Sequence, residues 1–119
     1  MKKNFIIPWE IYPFDVMVCI GECHGDIIKR IEKTGYKLSD EEKEKLWMIG
    51  KGRTVMLEGG QIILRVNKSK MDGNFAHEIF HTVSFLMDRI GVKLTYDSEE
   101  AFAYAIQFLT NKIIKELNK

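Results

Sequence analysis

His77, Glu78 and His81 are closely spaced side chains able to bind a metal ion and move a proton. They lie in Phe75-Ala-His-Glu-Ile-Phe-His-Thr-Val-Ser-Phe-Leu-Met87, a run that reads as helix and contains an H-E-x-x-H pattern. Residues four apart on a helix sit one turn above each other, so both imidazoles can reach one metal ion. Glu78 follows the first of them, about 100° round the helix, where a carboxylate can hold a water and take its proton. Hydrolysis by a metal-activated water is the chemistry such a set performs. The bland alternative is a pair of surface histidines, and by ordinary residue usage the pattern arises by chance in on the order of one such chain in a few hundred.

The helix that must carry these groups has a separate face for burial. With Phe75 at 0°, Ile79, Val83, Leu86 and Ile90 fall within about 80° of it, which predicts the core stripe. His77 and His81 share a different stripe with Ser84 and Asp88. Ahead of this helix, Gly52–Glu58 and Gln61–Val66 read as two strands joined at Gly59-Gly60, a strong hairpin signal. Earlier still, Phe14–Gly21 reads as a first strand stopped by glycine, and residues 25–34 as a helix ending at Gly35. Ser39-Asp-Glu-Glu42 is a capping box that opens a short charged helix, its charges forming a solvated face and its far end carrying Leu46, Trp47 and Ile49. Pro8 and Pro13 bracket Trp9-Glu-Ile-Tyr12, an aromatic lead-in expected to lie over the surface. After Gly91, Asp97-Ser-Glu-Glu100 opens a second long amphipathic helix reaching about Leu117.

Composition narrows the classes. The 119 residues, 45% hydrophobic and 29% charged, fit one globular domain over residues 1–119 with a single core. A formal net charge of +1 supplies no global field to draw in nucleic acid or an anionic membrane, and no basic stripe stands out, so no nucleic-acid partner is expected. Pro8, Glu10, Pro13 and Asp15 break the apolar run after Lys2-Lys3 before it reaches signal-peptide length, and nothing approaches a membrane span. The only two cysteines, Cys19 and Cys23, make no disulfide framework, and the expectation is a soluble cytoplasmic protein. Cys19-x-x-x-Cys23-His24 lacks a usual zinc spacing, so two ordinary buried thiols are the better reading.

A catalytic zinc needs three protein ligands and one open position. H-E-x-x-H followed after about 18 residues by a helical Glu, here His81 to Glu100, resembles the pattern of the gluzincin metallopeptidases. Glu99-Glu-Ala-Phe-Ala103 is similar to the N-E-G-F-A segment of that clan's aminopeptidases, and Glu100-Ala-Phe-Ala-Tyr104 to the E-x-x-A-D segment of another branch, with Tyr for Asp. The helical wheel favours Glu100 over Glu99: Glu100, Tyr104, Gln107 and Asn111 form a polar stripe, while Glu99 borders the apolar face of Phe102, Ala105, Ile106, Leu109 and Ile113. Glu99 is the first alternative. Acidic residues also suit a first helical turn on their own account, and Asp97-x-x-Glu100 can be a cap. Tyr104, one turn beyond Glu100, could orient a ligand histidine through its second nitrogen.

Together with Ile11–Val18, the segment His77–Gly91 resembles a small zincin-like protein carried by phages and prophages. The resemblance implies an α+β minimal zincin-like fold, in which a small mixed or antiparallel sheet of about three strands packs on the H-E-x-x-H helix and a long C-terminal helix. It implies a zinc-dependent metallopeptidase, with Zn2+ held by His77, His81 and Glu100 and with Glu78 as general base. Strand 61–66 is the candidate edge with which a peptide or protein substrate would pair, and an ordinary core hairpin is equally compatible with the same residues. No oxyanion donor is evident, since His24 is the one histidine left over and Tyr104 is committed near the ligands. The alternative is a non-catalytic zincin-shaped binding or assembly module of phage origin, with a structural or vestigial metal site.

Overall fold

A computed structural model describes residues 2–10, 12, 14–47 and 50–119. The order of elements is β1 (Lys3–Pro8), β2 (Asp15–Ile20), α1 (His24–Glu32), α2 (Asp40–Lys45), β3 (Gly52–Met56), β4 (Ile62–Val66), α3 (Gly73–Arg89) and α4 (Glu99–Leu117). The strands form one mixed sheet in the order β1-β2-β4-β3: β1 is antiparallel to β2, β2 parallel to β4, and β4 antiparallel to β3. The architecture is α+β.

Strand periodicity sends alternate side chains to opposite faces. Val16, Val18 and Ile20 of β2 stand in register with Ile62, Leu64 and Val66 of β4, and these six form the core with Phe75, Ile79, Val83 and Leu86 of α3 and Phe102, Leu109 and Ile113 of α4. Met17, Cys19 and Ile63 point the other way, into a second cluster with Ile27 and Ile31 of α1, Leu38 and Leu46. Both faces of β2 and β4 are therefore covered, which is why these strands read as nearly continuous apolar runs.

The predicted core stripe of α3 is buried at Phe75, Ile79, Val83 and Leu86. Asp72 caps its start, its side chain accepting the Phe75 N–H at 3.0 Å. Gly91 ends it with φ +83°, a left-handed conformation in which its N–H reaches the Asp88 carbonyl and that of Val92 the Met87 carbonyl. The Ser39–Glu42 capping box, the Gly59-Gly60 turn and the long final helix all form at the expected places.

Three expectations are corrected. The sheet has four strands, the additional one being Lys3–Pro8, where Phe5 and Ile7 turn toward the core opposite Val18 and Val16. An edge position tolerates its terminal proline, whose missing N–H breaks no ladder. Trp9 is 5% exposed and belongs to the core, its ring 5.3 Å from that of Phe108, because the lead-in tucks under α4. In α2, Glu42 is buried, and only the rest of the charge run is solvated. Ile11 and Pro13 of the lead-in, and Ile49 beyond α2, lie outside the described residues; Leu46 is buried and Trp47 exposed. Among the described residues no helix is long and apolar enough to cross a membrane.

Candidate metal centre

α3 presents three kinds of surface. One stripe is in the core; a second carries His77 and His81, both exposed; between them Glu78 is turned against β3 and is only 6% exposed. The two imidazoles meet at their Nε2 atoms, 3.1 Å apart, with ring planes inclined at 70°. Two nitrogens each about 2.05 Å from one tetrahedral ion stand roughly 3.3 Å apart. The pair is thus spaced for a shared metal with little adjustment, and imidazole nitrogen is a donor that zinc accepts.

Glu78 is held from the sheet. Thr54, on β3, donates its hydroxyl to Glu78 Oε1 at 2.8 Å and lies 3.2 Å from the Glu78 carbonyl oxygen, which also accepts from Thr82 Oγ1 at 2.9 Å. Gly52, two residues before Thr54 and so on the same strand face, leaves the space the carboxylate fills. A Cβ there would stand 2.9 Å from both Cγ and Oε2 of Glu78. Gly52, Arg53, Thr54, His77, Glu78, His81 and Phe85 enclose a shallow, open recess of about 250 Å³.

The structure brings His77, Glu78 and His81 into one recess. Glu100 and Glu99 stand in the first turn of α4, both exposed, and neither lines it. Among the described residues no three His, Cys, Asp or Glu side chains are grouped to hold a metal ion. Tyr104 is 67% exposed and borders a different hollow, with Trp9, Tyr12, Met87 and Phe108, so it orients neither histidine. His24 stacks on Trp47, ring centres 4.4 Å apart, and does not line the recess. Cys19 is buried as expected, but Cys23 is exposed, because it precedes the first turn of α1.

Strand 61–66 cannot take a peptide. β4 lies inside the sheet with β2 on one side and β3 on the other, and its backbone is used on both edges. The edge beside the recess belongs to β3, whose outer side pairs with no strand among the described residues. Sequence reasoning missed Gly52 and Thr54 as neighbours of Glu78. Their period of two within the 52–58 strand is legible, but which face meets α3 depends on the strand order. No family model, curated protein or solved structure matches the chain.

Proposed function

We propose that the protein is a zinc-dependent metallopeptidase, gluzincin-like in mechanism and of the small phage and prophage type that its sequence resembles. The observation that carries the reading is the 3.1 Å approach of His77 and His81 Nε2 above a buried Glu78 in a recess at the sheet edge. His77 and His81 would hold the metal; the sequence resemblance offers Glu100 as third ligand and Glu99 as its alternative, and neither lines the recess in this structure. Bound zinc would supply Lewis-acid polarisation of the scissile carbonyl and acidify a water.

Everything else falls to this chain's own residues. Glu78 takes a proton from the attacking water at a carboxylate oxygen and delivers it to the nitrogen of the departing amine. The outer edge of β3, which pairs with no strand among the described residues, offers main-chain groups to an extended substrate, which would lie along Gly52–Met56 with its backbone at the mouth of the recess. Removing Glu78's proton acceptor while keeping its shape tests this directly. Glu78→Gln retains fold and zinc and abolishes hydrolysis of unfolded protein substrates; retained hydrolysis contradicts the reading.

A second reading draws on the hollow of about 380 Å³ between Trp9, Tyr12, Met87, Tyr104 and Phe108, which suits a zincin-shaped binding module. On that reading Glu78→Gln changes no function, whereas Tyr104→Ala weakens partner capture.

A further inference from the structure

We infer that Thr54 and Gly52 together form the positioning device for Glu78. This rests on the metallopeptidase reading for its kinetic consequence, though its structural content stands without it. A glutamate side chain has three rotatable bonds, and a base must be held close to one productive geometry to act. Two constraints of different kind act on Glu78. Thr54 supplies a directed hydroxyl, 2.8 Å from Oε1, which fixes the rotation of the carboxylate. Gly52 supplies absence of bulk: its α-carbon permits Cγ and Oε2 to approach where a methyl group would stand at 2.9 Å.

Both constraints come from β3, the strand beside the recess whose outer edge pairs with no strand among the described residues. One strand therefore sets the base from its inner face and offers its backbone to an extended chain at its edge. Base and peptide would then be registered to a common element, and a shift of β3 would displace both together. Gly52 has no left-handed φ to satisfy, so the reason for glycine here is the close approach alone.

The test uses two substitutions that act by opposite means. Thr54→Val removes the donor at nearly constant shape, and Gly52→Ala adds a methyl group without removing a donor; Thr54→Ser restores the hydroxyl. With zinc-loaded protein and fluorescein-labelled casein, Thr54→Val and Gly52→Ala lower kcat about tenfold or more at unchanged KM and zinc content, and Thr54→Ser recovers most of it. Unchanged kcat in both variants overturns the inference. If wild-type protein binds zinc but leaves casein intact, the hydrolytic reading fails separately. The positioning is then read from the carboxyl 13C resonance of Glu78 in zinc-free protein, identified by its loss in Glu78→Gln. A resonance shifted by Thr54→Val and returned by Thr54→Ser supports the device; one that stays in place overturns it.

Discussion

The carboxylate of Glu42 accepts the main-chain N–H of Glu58 at 3.0 Å, which ties α2 to the tip of the β3–β4 hairpin across sixteen residues of sequence. The same group accepts the Tyr36 hydroxyl at 2.8 Å and the Ser39 N–H at 3.1 Å. Burial alone would raise its pKa, but the N–H donors of Ser39 and Glu58, with Tyr36, outweigh it and hold the carboxyl below its ordinary value.

A group depressed in the folded state stabilises above its unfolded pKa and loses that contribution as pH falls through the folded value. Glu42→Gln should therefore lower the urea midpoint at pH 7, and the gap from wild type should narrow as pH is brought below about 4.5, the group's ordinary value. A gap constant from pH 7 to about pH 3 would show that the charge on Glu42 contributes nothing.

Arg65 makes a comparable long-range tie from the middle of β4. Only 4% exposed, it donates to the Leu46 carbonyl at 2.5 Å and the Glu22 carbonyl at 2.6 Å. Arg65→Met should cost about 3 kcal/mol in urea unfolding, because two inward carbonyls lose charge-assisted partners. Arg65→Lys should recover only part, since a single ammonium cannot reproduce the fork. A loss under about 0.5 kcal/mol for Arg65→Met would place the residue among ordinary surface positions.

The two cysteines should separate cleanly. Burial pushes the Cys19 thiol up to about 12, against the opposing charge of Arg30, whose Nη2 lies 3.3 Å from its sulfur. Cys23 is exposed. An aromatic disulfide reagent at pH 8 should titrate one thiol per chain in the native protein and two in guanidinium. Two thiols reacting natively at equal rates would contradict the packing of β2.

These particulars show what a single sequence can and cannot disclose. The stripe of Phe75, Ile79, Val83 and Leu86 was readable because helical periodicity is local, and so were the Ser39–Glu42 capping box and the glycine hairpin. Arg65 was not, since nothing in Ile-Ile-Leu-Arg-Val announces that carbonyls from residues 22 and 46 will reach it. Lys3–Pro8 was hidden for a related reason: a six-residue strand with a terminal proline gains its pairing from β2, not from its own pattern. Strand 61–66 was legible as a strand but not as an interior one, because strand order is a property of the assembled sheet. At the candidate site, His77, Glu78 and His81 share a helix, and their spacing alone brings them together. Gly52 and Thr54 come from another element, and the placement of Glu100 depends on how α4 is set against α3.

A metal bound by His77 and His81 would appear in the zinc content per chain. Tag-free protein would be saturated with zinc, dialysed and assayed by elemental mass spectrometry, wild type beside His77→Ala, His81→Ala, Glu99→Ala, Glu100→Ala and Glu78→Gln. The account predicts about one zinc per chain in wild type and Glu78→Gln, loss in both histidine variants, and marked weakening in Glu100→Ala but not Glu99→Ala. Absence of bound zinc in the wild type after saturation, or retention in His77→Ala and His81→Ala alike, would contradict it.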